Sequence, residues 1–155
     1  MTVHSEQRVI PFRPELIFDL VADVRRYPEF LPWCVGARIR QASAELVVAD
    51  VMIGYKLVRE RFTSKVALDR VGCRIDVEYA DGPFKHLSNY WIFKQHPDGC
   101  LVDFHVDFEF RSVLLQGIIV ALFNEAIKRM VSAFESRAHA LYGAEGGTIA
   151  EFPVL

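Results

Sequence analysis

Nine residues in the last third of the chain, Val102–Phe110, alternate without a break. Val102, Phe104, Val106, Phe108 and Phe110 take one phase; Asp103, His105, Asp107 and Glu109 take the other. Successive side chains of a strand point to opposite faces, so this segment buries one face and wets the other. That is the signature of an antiparallel sheet covered on one side. The cover follows at once. Across Val113–Tyr142, Leu115, Ile119, Leu122, Ala126, Met130, Phe134, Ala138 and Leu141 recur at helical spacing, and Gly143 stands at the C-cap position.

Further period-two runs precede this pair. Thr2–Ile10 reads as a first strand. Val35–Arg40, Val47–Tyr55, Val58–Leu68, Cys73–Tyr79 and His86–His96 read as five more, and Asp81-Gly82-Pro83 and Pro97-Asp98-Gly99 as turns between them. Gly54 marks the start of a turn after the Val47–Tyr55 strand. Pro14 suits the first turn of a helix over Pro14–Val21. The order is therefore one strand, two short helices, six strands and one long helix. Such segregation predicts an α+β domain, an antiparallel sheet curved around the C-terminal helix with room between them for an apolar ligand. Residues 1–143 form the expected domain and residues 144–155 a loose tail.

Between the first strand and the sheet lies VADVRRYPEFLPWC, Val21–Cys34. Pro28 and Pro32 cannot sit inside a regular helix, since each lacks an N–H and fixes φ. The expectation is a short broken helix over Tyr27–Trp33. A bent segment carrying Phe30, Leu31 and Trp33 either plugs a core or walls an apolar cavity.

Composition narrows the function classes. Hydrophobic residues make up 52% of the 155, high for one soluble domain. A formal charge of −2 provides no global field for DNA or other nucleic acid. Arg25, Arg26, Arg38 and Arg40 read as solvated surface. The three cysteines, Cys34, Cys73 and Cys100, have no metal-ligand or disulfide spacing and point to a reducing compartment. The N-terminus lacks the apolar stretch of a signal peptide, and no run reaches the roughly 18 apolar residues of a membrane span. A cytoplasmic protein is expected, with peripheral contact at a membrane left open. Val113–Phe123, VLLQGIIVALF, is apolar in almost every direction. Either the fold wraps it, or its outer side meets a membrane or partner.

VADVRRYPEFLPWC, GPFKHLSNYWIF, VDFHVDFEFRSVLL and MVSAFESRA, in that order, resemble the coenzyme Q-binding branch of the START superfamily, also labelled polyketide cyclase/dehydrase-like. That branch includes a bacterial ribosome-association toxin. The resemblance spans about residues 3–142. It implies the helix-grip fold, a bound ubiquinone or related polyprenyl lipid with no other cofactor, and support of respiratory electron transfer at the inner membrane.

On this reading the ligand-binding candidates are Phe30, Leu31, Trp33, Phe62, Asn89, Trp91, Phe93, Phe104, Phe108, Ile119, Leu122 and Phe123. The Phe30–Trp33 segment is expected at the cavity mouth. Asn89 shares a strand face with Leu87, Trp91 and Phe93. It either hydrogen-bonds a quinone carbonyl or is a satisfied core amide. Glu60 and Ser64 share a face with Phe62 and Val66, so Glu60 is either an inward polar anchor or a strand-end residue in water. Asp103, His105 and Asp107 lie about 6.5–7 Å apart along one face, too far to share a metal unaided. They are expected to be exposed and metal-free. Phosphate loops, nucleophile elbows and zinc motifs are absent, so no catalytic residue is assigned. Three functions remain: a quinone carrier, a ribosome-contacting protein, and a cyclase or aromatase needing Glu60 or a histidine as general base.

Overall fold

The computed structural model describes residues 2–55 and 58–143, except for the side chains of residues 55, 58 and 119–124. The expected tail lies outside the described residues. Seven strands form one antiparallel sheet: β1 (Thr2–Ile10), β2 (Cys34–Ala42), β3 (Leu46–Tyr55), β4 (Val58–Asp69), β5 (Arg74–Asp81), β6 (Phe84–His96) and β7 (Gly99–Phe110). Their spatial order is β1-β7-β6-β5-β4-β3-β2. A meander thus runs from β2 to β7, and β1 returns along the far side of β7. Helix α1 (Pro14–Ala22) and a 3₁₀ helix (Val24–Glu29) follow β1, and α2 (Val113–Tyr142) follows β7. This is the helix-grip arrangement: the sheet curves around α2.

The alternation in β7 does what its spacing predicts. Val102, Phe104, Val106, Phe108 and Phe110 are all buried on the concave face. Ala49, Val66, Ile75, Trp91 and Phe93 continue that face across the neighbouring strands. Helix α1 closes one end of the curve by burying Ile17, Phe18, Leu20 and Val21, four large apolar groups from nine residues.

Helix α2 begins cleanly because the Ser112 hydroxyl caps the Leu115 amide at 3.2 Å. Gln116 bolts this end to the sheet. Its carbonyl accepts from the Phe110 amide at 2.8 Å, and its amide donates to the Thr2 hydroxyl at 2.9 Å. The far half is fastened by buried Val131, Phe134 and Ala138, by Arg137 donating to Glu29 at 2.7 Å, and by the Tyr142 hydroxyl donating to the Leu16 carbonyl at 3.2 Å.

Three local expectations change. The broken helix spans Val24–Glu29, not Tyr27–Trp33. Tight turns start directly after α1 at Asp23, and only the Phe30 and Leu31 amides reach back to the Tyr27 carbonyl. Gly54 is no turn residue: it lies within β3, where its amide donates to the Trp33 carbonyl at 2.8 Å. Asp103, His105 and Asp107 are half-buried rather than exposed. Their strand is flanked on both sides, so neighbours cover them. His105 contacts the Ser5 hydroxyl at 2.7 Å and stacks on Tyr90 with centroids 5.1 Å apart, and Asp107 contacts His86 at 2.8 Å.

Candidate functional site: an apolar cavity under the long helix

Sheet and helix do not pack flush. Between them lies a cavity of about 340 Å³. Its inner end is built from Val21 in α1's last turn and from Val24 and Tyr27 in the 3₁₀ helix after it, with Ile75, Trp91, Phe104 and Phe134 around them. Val51, Phe62, Ser64, Val66, Val77, Leu87, Asn89, Val106 and Phe108 continue the sheet wall. Helix α2 adds Ala126, Ile127 and Met130. At the outer end Leu31, Pro32, Trp33, Cys34, Ile53 and Phe62 are all half-exposed, forming the rim.

The rim is held in an unusual backbone state. Trp33 has φ of 66°, left-handed for a bulky residue. Its carbonyl is tied to the Gly54 amide, which pins the Leu31–Cys34 turn over β3. Pro32 cannot supply an amide to prolong the preceding turn, so the chain bends there. Local sequence thus places a large apolar ring at the entrance.

Seven sequence-predicted residues meet on the cavity wall: Leu31, Trp33, Phe62, Asn89, Trp91, Phe104 and Phe108. Two do not. Phe93 shares the concave face, but α1 covers that level of the sheet, and its ring packs against Phe18 with centroids 5.8 Å apart. Phe30 turns away from the mouth onto the outside of Phe134, at 5.3 Å, with the Arg137 guanidinium 5.1 Å from its ring. The side chains of Ile119, Leu122 and Phe123 lie outside the described residues. Sequence reasoning missed Val51 and Ile53, although the β3 alternation puts them in the phase that faces inward. It also missed Val21, although Val21 belongs to the apolar face of α1, and Val24 and Tyr27, which lie in the 3₁₀ helix and carry no periodic signal.

The wall is chemically quiet. Among the described residues it presents no carboxylate, imidazole, ammonium or guanidinium. Glu60, the expected inward anchor, is not on it. The Tyr27 hydroxyl donates to the Val21 carbonyl, and burial pushes its pKa up, so it stays a neutral phenol. Burial likewise raises the Cys34 thiol, whose sulfur donates to the Gly36 carbonyl at 3.6 Å. A thiol so placed is a poor nucleophile, since the thiolate is the reactive form. Ser64 also lies on the wall, but the polar side chain there with an unpartnered buried atom, among the described residues, is Asn89. It faces Val77 on one side and Val106 on the other, and its Oδ1 is buried with no hydrogen-bond partner among the described residues. Such a group costs about 1–3 kcal/mol relative to a satisfied one. The arrangement can enclose an apolar molecule and offer it one amide.

The family described as polyketide cyclase / dehydrase and lipid transport matches residues 10–135. The ribosome association toxin RatA of Rickettsia prowazekii is 36% identical over 141 residues, covering 89% of this chain and 97% of that protein. The mitochondrial coenzyme Q-binding protein COQ10 homolog B of Xenopus laevis is 34% identical over 147 residues, covering 92% of this chain and 60% of that protein. Among solved structures, an 18 kDa protein from Caulobacter crescentus is 37% identical with a TM-score of 0.76, covering 92% of this chain and 99% of its own. Two others share the fold at low identity. The Zhui aromatase/cyclase of Streptomyces sp. R1128 has a TM-score of 0.82 at 15% identity, covering 94% of this chain and 98% of its own. A START superfamily protein of Mycobacterium smegmatis has a TM-score of 0.76 at 18% identity, covering 90% of this chain and 98% of its own.

Proposed function

Because the chain belongs to the polyketide cyclase / dehydrase and lipid transport family, we propose that it is a non-enzymatic carrier of ubiquinone or a similar polyprenyl lipid, serving respiratory electron transport. The observation that carries this reading is the cavity itself: open at the Leu31–Cys34 rim, apolar, and free of acid–base groups on its described wall. Its volume of about 340 Å³ lies near the lower end of small-molecule sites, which run to about 1,000 Å³. That suits a ring and the first part of a tail, with the rest of the tail leaving past the Leu31–Cys34 rim. Binding is driven by apolar area removed from water, at about 25 cal/mol per Å² less ordering costs.

The start of α2 supports peripheral contact with the inner membrane. Val113 is 88% and Leu114 76% exposed, two large apolar groups presented to the surroundings on the first helical turn. No described helix is long and apolar enough to cross a membrane. The names of several relatives favour a second reading, an interaction protein on ribosomal subunits. The cyclase reading has less behind it, since Glu60 is off the cavity wall.

Mass spectrometry of lipid extracted from the purified protein tests the carrier, paired with a titration of short-tailed ubiquinone followed by tryptophan fluorescence. Expected are a co-purifying polyprenyl lipid and saturable quenching, since Trp33 and Trp91 both border the cavity. An empty extract with no saturable binding, and co-sedimentation with ribosomal subunits instead, would move the second reading ahead.

A further inference from the structure

The concave face holds a second buried polar group without a partner. Tyr79, on β5, has its hydroxyl buried and unbonded among the described residues, as is Asn89 Oδ1. The strand register brings the two together. Asn89 stands opposite Val77, and Tyr79 is two residues further along the same strand on the same face. Such diagonal neighbours lie about 7–8 Å apart at Cα, within reach of long side chains. Ser64, also buried and on the cavity wall, stands directly opposite Tyr79. Three polar side chains therefore cluster on a concave face that Val66, Val77, Leu87 and Val106 otherwise make apolar.

Buried polar groups in proteins are almost always bonded, and clustered exceptions need an account. By contrast, the rim at Leu31–Trp33 and Ile53 offers apolar side chains. We infer that Ser64, Tyr79 and Asn89 form a head-group subsite that selects a ligand with an oxygenated ring, held with the ring inward against Trp91 and the tail outward through the rim. Asn89 is its main specificity determinant, because its amide borders the cavity and can donate to or accept from a ring oxygen. Tyr79 does not border the cavity itself; its ring packs on Phe84 at 5.4 Å, and its hydroxyl is the flanking member of the cluster beside Asn89. The inference rests on the carrier reading and adds which ligand class the site prefers and which way round it enters.

Calorimetric titration tests it with two probes: ubiquinone carrying a two-isoprene tail, and the matching tail hydrocarbon without the ring. The variants are Asn89→Leu and Tyr79→Phe, each with a thermal melt. The wild type is expected to prefer the quinone. Asn89→Leu is expected to lose about tenfold on the quinone, the worth of one good hydrogen bond, and nothing on the hydrocarbon. Tyr79→Phe should lose less, with the same selectivity. Asn89→Leu should melt no lower than wild type, because a side chain whose buried oxygen is unpartnered has been replaced by an apolar group of similar size. If the wild type binds the quinone and Asn89→Leu keeps the same preference, the subsite is wrong and the carrier stands. An equal loss on both probes with a lower melt makes Asn89 merely structural and also overturns it. Wild type binding neither probe removes the carrier and the subsite together.

Discussion

Asp50 and Asn89 are polar residues of the same sheet, on opposite faces, the first buried whole and the second half-buried with its Oδ1 buried. Asp50, on the convex face of β3, is 1% exposed yet fully engaged. The Thr63 hydroxyl donates to one carboxylate oxygen at 2.5 Å, and the Arg40 guanidinium donates to the other at 2.8 Å. Asn89, on the concave face of β6, leaves its oxygen unbonded among the described residues. The difference separates two reasons for spending a polar group in an interior. A partnered one fixes structure: Asp50 ties β2, β3 and β4 together at the sheet's far edge. An unpartnered one beside a cavity is spare capacity, and its natural complement is a ligand.

The largest effect expected lies on the concave side, two residues along β6 from Asn89. Trp91→Ala should cost about 3–5 kcal/mol in a denaturant melt, because Trp91 packs against Phe104 at 4.3 Å and Phe134 at 5.2 Å. Trp91→Phe should keep the fold while weakening quinone binding. Unchanged affinity in a variant that melts like wild type would take Trp91 out of the site.

Next in size is the convex lock. Asp50→Ala should cost about 2–3 kcal/mol, since it removes hydrogen bonds to a charged group and strands Thr63. The pH dependence sharpens the contrast. The Thr63 hydroxyl, then Arg40, hold the Asp50 carboxyl below the usual carboxylate range despite its burial. A group whose folded pKa is lowered contributes its stability fully above the unfolded value of about 3.9, and loses it as pH falls through the lower folded value. Asp50→Asn should therefore flatten the acid limb of a stability–pH curve. A variant curve parallel to wild type below pH 4 would show that the lock carries no such linkage.

The smallest effect belongs to the half-buried row on β7. His105→Ala should change stability by about 1 kcal/mol, the worth of its contacts with Ser5 and Tyr90, and leave quinone binding untouched, since those contacts are on the convex side. Stoichiometric zinc lost on that substitution would show a metal site where none is expected.

Much of the fold was legible because two periods are written plainly in the chain. The β7 alternation and the α2 stripe require a half-covered antiparallel sheet and its cover, and the observed bounds of α2 match the sequence pattern end to end. The family motifs added the grip. The site was legible in part, because alternation assigns a face and nothing more. Phe93 and Phe104 carry the same signal, yet one is sealed under α1 and the other borders the void. Phe30 and Leu31 are adjacent in an aperiodic turn, and only the packed turn shows that Phe30 leans onto Phe134 while Leu31 faces inward.

By itself, then, the sequence determined which side of each strand is apolar and that one long helix must cover it, since those follow from local geometry repeated every two or 3.6 residues. Tertiary structure alone decided where sheet and helix fail to touch, and which polar groups found partners. Depth along a face, cavity volume and the pairing of Asp50 against the solitude of Asn89 all depend on segments far apart in the chain. No local pattern encodes the distance at which two curved surfaces meet.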